Sequence, residues 1–184
     1  PALNQRMLSY FGRLGWNFKE TYMLNATLRA DASSKFARGS RWGWFPSISG
    51  GWIMSNEKFW KPVSHIFDYF KLRASWGQVG NQNIGDLMYV SPITTSGVYY
   101  LFGNQYGASA QANYYGAYES RLANEKIKWE TSEQTDFGFD ARAINGKLNI
   151  NFDWYYKTTK DWLVLAPILA TAGTGDPNIN GGEV

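Results

Sequence analysis

Along much of this chain apolar side chains occupy every second position, the period of a strand whose successive residues face opposite sides of a sheet. In the first run Leu8, Tyr10, Leu14, Trp16 and Phe18 share one face, and Ser9, Arg13, Gly15 and Asn17 the other, with Phe11 the exception. Lys19-Glu20 leaves room only for a very short turn. The next run sets Tyr22, Leu24, Ala26, Leu28 and Ala30 against Thr21, Asn25, Thr27, Arg29 and Asp31. These two runs predict a hairpin with arms of about ten residues, the length of a strand that crosses a bilayer at a tilt of about 45°.

After a polar, arginine-bearing loop (ASSKFARGSR), Trp44, Ile48, Trp52 and Met54 oppose Phe45, Ser47, Ser49 and Gly51. Pro46 and the glycines of this run make it imperfect and predict a bend. Ser55 to Tyr69 lacks alternation and predicts one short helix. Leu72, Ala74 and Trp76 then oppose Lys71, Arg73, Ser75 and Gly77. A low-alternation stretch, residues 79–126, predicts one long loop. Beyond it Trp129, Thr131, Thr135, Phe137 and Phe139 oppose Lys128, Glu130, Ser132, Gln134, Asp136 and Asp140. Ile144-Asn145-Gly146-Lys147 carries the Asn-Gly pair of a tight hairpin turn. Leu148, Ile150, Phe152, Trp154 and Tyr156 then turn away from Asn149, Asn151, Asp153 and Lys157.

Short and long connections therefore alternate along about six strands, as they do between the two rims of an up-and-down barrel. The predicted class is all-β: an antiparallel, transmembrane barrel segment, residues 1–184 forming part of a larger barrel with an extracellular loop at 79–126. Trp16, Phe18, Trp52 and Trp129 fall at strand ends, where amphipathic rings form interfacial girdles. Trp42 and Trp44 read the same way. A soluble β-sandwich produces similar alternation, but its connections rarely approach the length of residues 79–126.

Composition sharpens this picture. Aromatics reach 17% of 184 residues, with nine Trp, twelve Tyr and eleven Phe, while the mean hydropathy is −0.40. Such a chain has two differently solvated faces rather than a uniformly greasy core. No run of about 20 apolar residues exists for a membrane helix, and no apolar signal region opens the chain. Both ends break into a pattern, so the chain reads as a fragment. The net charge of +3, without a basic cluster, implies no nucleic-acid partner. Cysteine is absent, which removes disulfides, thiolate metal sites and cysteine nucleophiles together. His65 is the single histidine, so neither a Ser-His-Asp triad nor a multi-histidine metal site can be assembled. Neither a cofactor nor a metal is expected.

The carboxylates Glu130, Asp136, Asp140 and Asp153 fall on the polar face of one hairpin. A glycosidase pair needs such groups, but a hydrated lumen wall needs them too, balanced by Arg29, Lys71, Arg73 and Lys128. We expect the second, with Arg13, Arg29, Asp31, Arg73, Glu130, Asp136, Asp140 and Asp153 facing the lumen and no catalytic residue. In the long loop Tyr99, Tyr100, Asn104, Tyr106, Tyr114, Tyr115 and Tyr118 mix flat rings with amides, which suits the C–H faces and hydroxyl rims of sugars. Tyrosine also serves loop and protein interfaces, so packing is the competing explanation. Asp176-Pro177-Asn178 is oxygen-rich but reads as a turn.

Five segments, in order, resemble the SusC/RagA family of TonB-dependent outer-membrane transporters. They are YFGRLGWNFKETYMLNATLRADASSKF, RWGWFPSISGGWIMSNEKF, FKLRASWGQVGNQNIG, IKWETSEQTDFGFDARAINGKLNINFDWYYKTTKDWLV and DPNINGGEV. The resemblance implies a barrel of about 22 strands closed by a plug. It implies a SusD-like lipoprotein at the outer rim and energy from TonB–ExbB–ExbD acting on that plug. It further implies a Gram-negative outer membrane of the Bacteroidota type and import of oligosaccharides first, peptides second, rather than enzymatic work. A passive porin or adhesion barrel and a secreted carbohydrate-binding β-sandwich are the alternatives.

Overall fold

A computed structural model describes residues 5–102 and 112–184. Four strands come first: β1 (Met7–Phe18), β2 (Tyr22–Ser33), β3 (Trp42–Ile53) and β4 (Phe67–Asn81). Four short strands follow, β5 (Ile93–Thr94), β6 (Tyr99–Phe102), β7 (Ala112–Tyr115) and β8 (Tyr118–Glu119). The long strands β9 (Glu130–Ala143) and β10 (Leu148–Lys160) precede β11 (Leu163–Leu165) and β12 (Asn178–Asn180).

The six long strands form one antiparallel sheet in the order β1-β2-β3-β4-β9-β10. Each pairs with its predecessor among the long strands, which is the predicted meander. The register carries the faces across it: Leu14 opposes Ala26, Ala26 opposes Ile48, Ile48 opposes Trp76, and Trp76 opposes Thr135. A side-chain period of two makes this alignment decisive, because a one-residue slip would turn a whole strand over. Among the described residues no helix is long and apolar enough to cross a membrane.

The tight turns are built as the sequence requires. Lys19 and Glu20 both adopt positive φ, 52° and 51°, and the Thr21 N–H donates to the Phe18 carbonyl at 3.0 Å. That is a primed turn, whose twist matches the flanking strands. Ile144, Asn145 and Gly146 do the same at the β9–β10 end, with φ of 55°, 52° and 78°.

Three expectations change. The predicted helix between Ser55 and Tyr69 is replaced by two single 3-10 turns, Met54–Asn56 and Lys58–Trp60, followed by further hydrogen-bonded turns. Pro62 and the close spacing of the turns leave no room for helix propagation. Met54 thus leaves the third strand, and β4 begins at Phe67. The low-alternation stretch is also less irregular than its sequence. β4 continues to Asn81, and two small ladders close within the stretch, β5 with β8 and β6 with β7. Finally, Trp129 is not a girdle residue. It is 5% exposed and packs with Phe36, Phe45 and Ile127 in a compact cluster. Its indole N–H donates to the Arg41 carbonyl at 2.8 Å, and Phe45 meets it edge-on at 5.6 Å. The ring of Phe45 lies where a Cβ on Gly80 would collide with it, so glycine makes this packing possible.

Candidate functional site

The site is the sheet itself, whose two faces differ in chemistry. On one face Tyr10, Leu14, Trp16, Leu24, Trp44, Phe137, Phe152 and Trp154 are all exposed, Leu14 to 78%. So many large apolar side chains exposed on one face mark a surface that meets lipid or another chain. These are the residues that alternation assigns to a common face.

Aromatic rings link this face near the short-turn end. Trp16 stacks on Phe18 at 5.7 Å, Phe18 meets Tyr22 at 6.5 Å, and Tyr22 stacks on Trp52 at 6.2 Å. The contacts pass through Phe59 and Trp60 of the connector to Phe70, then to Phe139 and Phe152. The connector's rings thus carry the contacts past Leu72, which sits between Trp52 and Phe139 in register. At the opposite end Tyr10 stacks on Trp42 at 6.1 Å. Trp16, Phe18, Trp52 and Trp42 therefore stand where girdle rings are expected.

The other face is a lattice of polar side chains. The Arg73 guanidinium bridges Asp140 at 3.0 Å and Asp153 at 2.9 Å, tying β4, β9 and β10 together. The Ser75 hydroxyl and the Gln134 amide both donate to Asp136, at 3.0 and 2.7 Å. Arg29 pairs with Asp31 at 2.8 Å, and Arg13 donates to the Asn25 side-chain amide oxygen Oδ1 at 3.4 Å. A depression of about 290 Å³ lies among Asn25, Ser49, Lys71, Arg73, Asp136 and Asp153.

Charge pairing departs from the expected balance in three places, the first being Lys71, which has no ion-pair partner among the described residues. Lys128 pairs with Asp161 rather than with its own hairpin. Glu130 is only 7% exposed and accepts from the Asn81 amide and the Leu163 N–H, at 3.0 and 3.1 Å, so it anchors the chain leaving β10. Asp176-Pro177-Asn178 is not the expected turn: Asn178 opens β12, and the Asp176 carboxylate accepts from the Ile168 N–H at 3.1 Å. Among the described residues no three acidic or histidine groups converge as a metal site.

Of the loop tyrosines, β6–β7 pairing sets Tyr99 opposite Tyr115 and Tyr100 opposite Tyr114. Tyr118 lies in β8 and is exposed. Asn104 and Tyr106 fall outside the described residues. One cluster escaped the sequence reading. Glu133 occupies an apolar-face position, where it accepts from the Trp76 indole at 2.8 Å and pairs with Lys160 at 3.2 Å. Its parity with Thr135 and Phe137 was the available signal.

A family model described as "TonB dependent receptor-like, beta-barrel" matches residues 1–184. The chain belongs to the TonB-dependent receptor β-barrel family. Among relatives of this receptor barrel, TonB-dependent receptor SusC of Bacteroides thetaiotaomicron is 36% identical over 163 residues, 88% of this chain and 16% of SusC. TonB-dependent receptor P39 of Formosa agariphila is 33% identical over 183 residues, covering 100% of this chain and 16% of that protein. The structure of the RagAB peptide transporter superposes with a TM-score of 0.78 at 27% identity, covering 97% of this chain and 18% of that one. The RagAB peptide importer in its "open-open" state gives 0.79 at 26% identity, with 97% and 18% covered. The chain thus spans under a fifth of the receptors it matches. These relatives are TonB-dependent receptors and not enzymes, and receptors of the SusC/RagA type are outer-membrane proteins.

Proposed function

We propose that this chain supplies wall, rim and a ligand-facing loop to an active importer of nutrients in the outer membrane. The carrying observation is the division of one continuous sheet into a lipid-compatible face and an ion-paired polar face. In this reading the apolar face meets lipid. Arg13, Arg29, Asp31, Arg73, Glu130, Asp136, Asp140 and Asp153 belong to the side that lines a hydrated lumen or its plug. The 79–126 segment stands on the extracellular rim, where long loops of such barrels lie. A SusD-like lipoprotein delivers cargo there, and TonB–ExbB–ExbD acts on the plug to open a path.

Oligosaccharide is the favoured cargo, because tyrosines and amides cluster in that loop and four of the tyrosines occupy paired register positions of the β6–β7 ladder. Peptide is the second reading, supported by the solved neighbours described as peptide importers. The test uses the full-length receptor in its own cells and follows uptake of a labelled oligosaccharide and a labelled peptide. Deleting residues 99–118 is expected to abolish uptake of the true cargo while the barrel still inserts. Uptake that survives loss of TonB would identify a passive pore instead. Unchanged uptake by the deletion variant would remove the loop from cargo contact.

A further inference from the structure

On the apolar face, at the end opposite the tight turns, a trough of about 480 Å³ lies among Tyr10, Leu28, Ala30, Trp42 and Trp44. Register explains its shape. Ala30 sits between Tyr10 and Trp44, and Ala32 between Leu8 and Trp42, so the floor is methyl groups and the walls are rings. One row further toward the rim a second hollow, of about 580 Å³, lies among Arg6, Leu8, Ala32, Ser34 and Arg41. Leu8 and Ala32 of the second hollow lie in register with Trp42 of the first, so the two are neighbours on the sheet, apolar giving way to cationic.

Arg6 is anchored through its main chain and Arg41 through its Nε, and neither guanidinium is paired with a carboxylate among the described residues. Arg6 and Ser34 are tied by two hydrogen bonds, Arg6 N–H to the Ser34 hydroxyl at 2.9 Å and Ser34 N–H to the Arg6 carbonyl at 3.0 Å. Arg41 spends its Nε on the Phe36 carbonyl at 3.1 Å. Among the described residues neither Arg6 nor Arg41, nor Arg38 between them in the chain, has a carboxylate partner. The remaining positions, residues 1–4 and 103–111, contain no Asp or Glu to supply one. Asp86 is already engaged by the Gln5 amide at 3.0 Å. Elsewhere on this face the pattern differs. Lys160 is neutralised by Glu133 and Glu183. The larger furrow around Gly50, Leu72 and Phe137 is bordered by one arginine, Arg73, whose charge is committed to Asp140 and Asp153.

We infer that this pair of hollows is a binding site for an anionic membrane lipid of the loop-side leaflet, one whose phosphate is a monoester with no cationic group to neutralise it. An acyl chain lies in the ring-walled trough, and the headgroup phosphate meets Arg6 and Arg41. Guanidinium groups present forked donors that match a phosphate, and an acyl chain in the trough removes apolar surface from water. Tyr10 and Trp42 then bracket the depth at which chain gives way to headgroup, as interfacial rings do. The inference rests on the membrane placement of the apolar face; failure of that placement would show as a full-length receptor soluble without detergent.

Native mass spectrometry of the full-length receptor in a neutral detergent tests the site. The probes are monophosphoryl lipid A, phosphatidylcholine and inorganic phosphate. Monophosphoryl lipid A is expected to bind in preference to phosphatidylcholine. Arg6→Ala and Arg41→Ala should each weaken it about five-fold, equivalent to about 1 kcal/mol per cation at a membrane surface. Arg6→Lys should retain part of the binding, and Ala30→Leu should reduce it by filling the trough while leaving both arginines. Lys61→Ala, at the opposite end of the sheet, should change nothing. Equal binding of phosphatidylcholine, or unaltered binding in both arginine variants, would overturn the assignment. So would complete displacement by inorganic phosphate, which would make a free anion the ligand.

Discussion

At Gly138 a methyl group would sit 2.8 Å from the Phe152 carbonyl oxygen, against the Asp153 carboxylate and 3.2 Å from an Arg73 nitrogen. Glycine here lets the Arg73 fork reach both Asp140 and Asp153. Gly138→Ala is therefore expected to displace the ion-paired lattice and to destabilise the full-length barrel by about 1–3 kcal/mol, as overpacking does. Denaturant unfolding in lipid vesicles measures this, and an unchanged midpoint would show that the strands absorb the methyl group. Individual roles were the least legible feature of the sequence. Alternation put Asp140 and Asp153 on one face, but only the register shows that a single arginine serves both. Trp129 departs from the girdle position its sequence suggests because it precedes β9 by one residue and its partners Phe36 and Phe45 are distant in sequence. Glu133 was passed over because it interrupts an apolar series.

Strands were far more legible, because each is long enough to show several cycles of a two-residue period. Five of the six announce themselves in this way. β3, with Pro46 and its glycines, was recoverable through its tryptophans. The connector after it was not, since Lys58-Phe59-Trp60 resembles the start of an amphipathic helix until Pro62 intervenes. The faces make opposite predictions for the same substitution. Leu14→Arg places a charge on the apolar face and is expected to cost about 2–4 kcal/mol near the middle of the bilayer. Asn151→Arg, opposite Asp140 on the polar face, should stay within about 0.5 kcal/mol. Unfolding of both variants of the full-length receptor in vesicles compares them. Equal costs would mean that the two faces do not meet different solvents.

Across the whole sheet the meander order was legible from connection lengths alone, whereas the ladders inside residues 79–126 were not. The β5–β8 ladder pairs only Ile93-Thr94 with Tyr118-Glu119, too short a pattern to read and too far apart to infer. Among the described residues the sheet leaves open the outer edge of β1 and that of β10 up to Thr159, where the Glu183–Val184 segment pairs with it. Open edges of this length template association with other chains. A polypeptide of residues 1–184 alone is expected to sediment as aggregate when transferred from denaturant to buffer without detergent. A monodisperse, soluble species in that experiment would count against a sheet that needs further strands.

The row of rings near the tight turns bears on how such a sheet finds its pairing. Phe18, Tyr22, Trp52, Phe139 and Phe152 occupy one transverse line of the register, with Leu72 completing it. Displacing any strand by two positions would keep every oily group on its proper side, so face chemistry alone cannot reject that error. At the β2–β3 pairing such a slip sets Tyr22 against Gly50 or Trp52 against Leu24, and the ring contact is lost. Stacked aromatics worth about 0.5–1.5 kcal/mol per pair thus act as a vernier, proofreading the alignment that alternation leaves ambiguous.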